Sequence, residues 1–202
     1  MRRSECLKAL APALTDELVV TNVARTGFET QMAMPREGNL YTMGMGLVTP
    51  VVLGLALSLP HRRVIALDGD GSILLNLGVF STIGNYAPPN LVAIIFDNES
   101  YASTGGLPTA TAGKTKLDQM AKAAGIANSF EIGVLEEFKE IVTKALAGNG
   151  PWVIVCKIVA EKPPVEPKLM DGRENKYRFV RYIEKTENTI ILKPSAVGRT
   201  DS

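Results

Sequence analysis

Two apolar, β-branched runs constrain this chain most, Val64 to Leu67 and Leu91 to Phe96, because each ends in polar residues suited to a ligand. The first leads into Asp68-Gly69-Asp70-Gly71-Ser72, the second into Asp97-Asn98, with a helix-length stretch between them. Short apolar runs alternating with helical stretches predict a mostly parallel, doubly wound sheet with helices on both faces, a three-layer α/β domain. In such a sheet the carboxyl ends of neighbouring strands frame the ligand crevice. Asp70 and Asn98 are expected to meet there as hard oxygen ligands for Mg²⁺ carrying a diphosphate. Gly71 lets the backbone approach closely, and Ser72 is expected to cap the following helix, whose N-terminus favours phosphate.

The rest of the chain reads around that centre. Ser4 to Leu14 is a predicted helix, Glu17 to Thr21 a short strand, Asn22 to Gly27 a turn and Phe28 to Met34 a brief helix. A buried helix is expected from about Gly46 to Leu59 and another from Ile73 to Tyr86, ended by Pro88-Pro89-Asn90. Ser100 to Lys116, rich in Gly, Ser and Thr, is a long loop of the kind that carries function. Lys116 to Ala124 and Val134 to Ala147 have helical patterning, and Trp152 to Ile158 is the last core strand. The domain is drawn over residues 1–162, followed by a 163–202 tail in which a charged helix near Glu174 to Lys185 either packs on a partner or is solvated.

Composition closes several doors. A net charge of +1 leaves no electrostatic footprint for nucleic acid or an anionic membrane. The stretch between Glu37 and Arg62 carries no formal charge, but its four glycines and scattered polar residues fit a buried helix better than a spanning one. Two cysteines, Cys6 and Cys156, make neither a metal motif nor a disulfide framework, so a cytoplasmic location is expected. The first strand is not followed by Gly-x-Gly-x-x-Gly, which disfavours a dinucleotide site.

Gly69-Asp70-Gly71, 26 intervening residues and then Asn98 resembles the thiamine diphosphate motif of the 2-oxoacid decarboxylases. Together with Tyr41 to Gly46 and Asp97 to Gly106, it is most similar to the sulfopyruvate decarboxylase β-subunit and phosphonopyruvate decarboxylase branch of that family. The resemblance implies the diphosphate-binding half of the thiamine diphosphate fold, with Mg²⁺ held by Asp70, Asn98 and the Ser100 carbonyl. It implies cofactor contacts at Gly69, Gly71, Ser72, Tyr101 and Ala102, and around Met43, Gly44 and Met45. Met45 would be the apolar wedge that bends the cofactor, a task suited to an unbranched, polarizable side chain, and the Met43 carbonyl would hold its amino group.

The implied reaction is decarboxylation of a short anionic 2-oxoacid, with release of CO₂ and an aldehyde. Relatives also need a Glu from a pyrimidine-binding domain. Only 42 residues precede Met43, too few for that domain, and Glu29 lies on the wrong side of the motif. A separate pyrimidine-binding subunit and a hetero-oligomer are therefore expected. Arg25, Lys114 and Lys116 are candidate cations for the substrate's anionic group, and His61 is expected at the surface. Ala102 and Leu107 depart from the relatives' usual Gly and Gln, which leaves the acid itself open. The alternatives are an acetolactate synthase-like carboligase subunit and a non-catalytic cofactor-binding module. No cysteine set supports a ferredoxin oxidoreductase.

Overall fold

A computed structural model describes residues 1–159 and 171–192. Among these, six parallel strands form one sheet in the order β2-β1-β3-β4-β6-β5. They are β1 (Leu18–Asn22), β2 (Asn39–Met43), β3 (Val64–Gly69), β4 (Leu91–Asp97), β5 (Asn128–Ile132) and β6 (Trp152–Lys157).

Strand periodicity divides the core into two. Leu18, Val20, Val64, Ala66, Leu91, Ala93, Ile95, Val153 and Val155 face one side, buried under α3 (Val48–Ser58), α5 (Gly78–Tyr86), α6 (Leu117–Ala123) and α8 (Gly172–Glu187). Val19, Ile65, Leu67, Val92, Ile94, Phe96, Ile154 and Cys156 face the other, under α1 (Arg3–Leu10) and α7 (Leu135–Ala147). Central strands buried on both faces read as continuous apolar runs, which is why β3, β4 and β6 stood out in the sequence. No helix of the described residues is long and apolar enough to cross a membrane.

The chain leaves β1 toward β2, then crosses back to place β3 on the other side of β1. Strand order thus reverses between β1 and β3, and a ligand crevice opens at their carboxyl ends. Those ends are Asn22 and Gly69, packed so closely that a Cβ on Gly69 would sit 3.3 Å from Asn22 Nδ2. Register carries the second half of the motif beside the first, because Gly69 pairs with Phe96, two residues before Asn98.

Four local expectations change. The helix expected over 73–86 is split into α4 (Asp70–Ile73), a 3₁₀ turn at Leu74–Asn76 and α5. Ser72 lies inside α4, whose N-cap is Gly69, so Ser72 is not the cap; its Oγ instead accepts the Gly46 amide at 2.9 Å. The turn after β1 is shorter than expected, since α2 (Arg25–Ala33) starts at Arg25 rather than Phe28. β5 was not foreseen: as an edge strand it buries only part of its surface, and Phe130 stays 37% exposed while stacking on Trp152.

The fourth change is α8, which packs against this same sheet. Phe179 and Ile183 enter the core, and Asn175 bonds both backbone polar groups of Tyr41, at 3.2 Å and 2.7 Å. Arg178 donates to the carbonyls of Arg36 and Asn39 and lies over the Tyr41 ring. The edge of β2 is covered in this way, which blunts an otherwise open row of donors and acceptors. The Pro163 to Pro167 segment lies outside the described residues.

Candidate functional site

A cavity of about 330 Å³ opens at the β1/β3 switch point. Met45, Gly69, Asp70, Gly71 and Ser72 line it from one direction in sequence, and Asn98, Ser100, Tyr101 and Ala102 from the other. Residues 69 to 102 of the expected site are therefore gathered, and Met45 joins them. Met43 and Gly44 are not among the lining residues; Met43 ends β2 and packs its side chain on the core.

Asp70 is 3% exposed, and its two carboxylate oxygens do different things. Oδ2 accepts from Thr109 at 2.6 Å and from Thr111 at 3.3 Å. Oδ1 lies 3.1 Å from the end of the Asn98 side-chain amide, which is itself 2.8 Å from the Ser100 carbonyl oxygen. Turned one way, the amide nitrogen donates to both acceptors. Turned the other, the amide oxygen completes a set of three oxygens from a carboxylate, an amide and a carbonyl, which suits a hard divalent cation. The donor chemistry fits Mg²⁺ and leaves positions for diphosphate and water. No cluster of three His, Cys, Asp or Glu side chains competes for a metal among the described residues.

A shell of polar groups holds this set in place. Asp97, 2% exposed, accepts from Thr111 at 2.8 Å, from the Glu99 amide at 3.0 Å and from Lys157 Nζ at 2.9 Å. Burial pushes the Asp70 carboxyl above its ordinary range; the Thr109 hydrogen bond opposes that shift and nearby Asp97 adds to it. A bound cation would reverse the balance by favouring the carboxylate. The wholly buried Asp68 is likewise pushed up by burial, against hydrogen bonds that include Ser72 and Thr49. Through Ser72 this network reaches Gly46, tying the Met45 loop to α4.

Backbone conformation is unusual around the cavity. Ala24 has φ 61° and ψ −133°, and Glu99 has φ 60°, both costly for a residue with a Cβ. Gly71 is required by close approach: a Cβ there would lie 2.4 Å from the Tyr101 ring.

Sequence reading missed Thr109, Thr111 and Arg3. The two threonines return from the 100–116 loop, where no periodicity marks them. Arg3 comes from α1 and lines the cavity beside Arg25. Lys114 and Lys116 do not line it, and Lys116 pairs with Glu131 at 3.6 Å. His61 is exposed and meets Glu187 at 2.7 Å.

A doubly wound parallel sheet with a cavity at its switch point, walled by oxygen donors and a glycine-bearing helix start, defines an α/β domain of the ligand-binding, switch-point class. Residues 20–156 match the family model described as thiamine pyrophosphate enzyme, C-terminal TPP binding domain, and the chain belongs to that family. It is 39% identical over 188 residues to the sulfopyruvate decarboxylase subunit beta of Methanococcus maripaludis, covering 92% of this chain and 99% of that one. It is also 39% identical over 145 residues to the sulfopyruvate decarboxylase of Methanosarcina acetivorans, of which it spans 37%. Among solved structures, benzoylformate decarboxylase from Polynucleobacter necessarius superposes with a TM-score of 0.70 at 24% identity, over 82% of this chain and 34% of that one. That likeness confirms the thiamine diphosphate-binding fold.

Proposed function

We propose that this chain is the diphosphate-binding subunit of a thiamine diphosphate- and Mg²⁺-dependent decarboxylase acting on a short anionic 2-oxoacid such as sulfopyruvate or phosphonopyruvate. The observation that carries it is the convergence of Asp70, Asn98 and the Ser100 carbonyl in one cavity with Met45. The near full-length likeness to a sulfopyruvate decarboxylase β-type subunit supports the substrate class.

When bound, the cofactor supplies an electron sink for breaking the bond to the substrate's carboxylate. The chain's residues bind and orient. Asp70, Asn98 and Ser100 hold Mg²⁺; Gly69, Gly71, Ser72, Tyr101 and Ala102 hold the diphosphate. Met45 would be the apolar wedge against the cofactor, and the backbone of Met43 and Gly44 would hold its aminopyrimidine. The overall change would be loss of CO₂ from the 2-oxoacid and addition of a proton to the remaining acyl carbon, giving an aldehyde.

Asp70 is the only carboxylate among the described residues lining the cavity. Glu29 does not line it and pairs with Arg3 at 3.3 Å. This supports an activating Glu supplied by a separate pyrimidine-binding subunit. Met45, Leu47 and Leu75, exposed by 37%, 50% and 63%, are further support for a partner that covers them. The free, buried cysteines fit a reducing cytoplasm.

The test combines the chain with a pyrimidine-binding subunit, thiamine diphosphate and Mg²⁺, and follows CO₂ and aldehyde from sulfopyruvate and phosphonopyruvate. The expected result is aldehyde from at least one acid, lost in Asp70→Ala. A hydroxyketone product would instead make the enzyme a carboligase.

A further inference from the structure

The cavity wall opposite in sign to a diphosphate or a sulfonate is built by an arginine that no motif marks. Arg3 projects from the first turn of α1 and lines the cavity together with Asp70, Asn98 and Thr104. Its side chain is only 12% exposed. The guanidinium lies over the Phe96 ring, 5.7 Å from the centroid, and Nη1 bonds Glu29 Oε1 at 3.3 Å. These two contacts fix the plane of the fork. Nε is buried with no hydrogen-bond partner.

A buried donor left without a partner is costly, more so beside a charge. Arg62 spends its donors on the Asp16 carbonyl, Thr186 and Glu187. Arg36 and Arg178 each also leave one buried donor without a partner, but neither lines the cavity; Arg3 does. The like charge of Arg25 also acts on it, and Arg25 lines the same cavity. With a divalent cation on Asp70, the described lining would present Arg3, itself paired with Glu29, and Arg25. That field favours an anion.

We propose that Arg3 is an oxyanion-binding residue of this cavity, presenting a preoriented guanidinium to a tetrahedral phosphoryl or sulfonyl group. It rests on the reading of the cavity as the cofactor and substrate site. Two sources share the chemistry: the terminal phosphate of the cofactor, and the phosphonate or sulfonate end of the substrate. Arg3 binds and orients; it transfers no proton.

The test uses the full chain, uniformly ¹⁵N-labelled, the Arg3 Nε–H resonance being assigned by its loss in Arg3→Lys. One titration uses Mg²⁺ with inorganic pyrophosphate, the other sulfoacetate. Gly71 and Tyr101 amide resonances report occupancy of the site independently. The expected result is a saturable shift of the Arg3 Nε–H with at least one probe, and that probe identifies the source. Arg3→Gln should weaken binding of that probe about tenfold or more, and Arg3→Lys, which keeps charge but loses the fork, should fall between. Melting temperature of the unliganded variants controls for folding, which Cys6, Leu7 and Leu10 of α1 secure independently. If Gly71 and Tyr101 respond while Arg3 is unmoved by both probes, the role of Arg3 is overturned and the cofactor reading stands. If no resonance responds to either probe, alone or with a pyrimidine-binding subunit added, both fall.

Discussion

Asp70 shows how a single carboxylate is divided between structure and chemistry. Thr109 and Thr111 occupy Oδ2, so Oδ1 alone turns toward Asn98 and Ser100. Thr109→Val removes the shorter of those bonds and is expected to weaken Mg²⁺-dependent thiamine diphosphate binding about tenfold, a charge-assisted hydrogen bond being worth about 1.5–3 kcal/mol. Calorimetry checks it; unchanged affinity would remove Thr109 from the site. Asp68 gives a pH dependence. Because burial raises its pKa from the ordinary 3.8, the folded chain keeps that proton after the unfolded chain has lost it. Stability therefore falls as pH rises through that range. Asp68→Asn should flatten this part of the profile in urea unfolding as pH rises above the ordinary 3.8. Asp70, Asn98 and Ser100 were legible because strand ends in register carry them. Thr109, Thr111 and Arg3 were not, because they reach the cavity through a loop and a packed helix that leave no fixed spacing.

At the scale of elements, α8 does work that its composition conceals. Its charged residues read as either a partner-packing helix or a solvated tail, yet Asn175 is 4% exposed and takes the place of a neighbouring strand against Tyr41. Asn175→Ala strands two backbone groups on the β2 edge and is expected to lower stability by about 2–4 kcal/mol, with faster hydrogen exchange at the Tyr41 amide. Unfolding by urea and amide exchange together check this; a change below about 0.5 kcal/mol would mean that water replaces the contact without loss. β5 escaped the sequence for the opposite reason: Asn128, Glu131 and the half-open Phe130 dilute an edge strand below any apolar pattern. The broken helix after Gly69 was hidden because Ile73 to Tyr86 keeps helical spacing while the 3₁₀ turn at Leu74–Asn76 re-aims it.

For the whole molecule, the strand order and its reversal between β1 and β3 decide where chemistry can occur. Alternating apolar runs made that architecture readable, since central strands have little freedom to be anything else. The most direct test is a calorimetric titration of the chain with thiamine diphosphate and Mg²⁺, alone and with a pyrimidine-binding subunit. Mg²⁺-dependent binding that tightens sharply with the subunit, and disappears in Asp70→Ala, is the expected result. Absence of binding in both mixtures, or binding indifferent to Asp70→Ala, would contradict a cofactor site built on Asp70, Asn98 and Ser100.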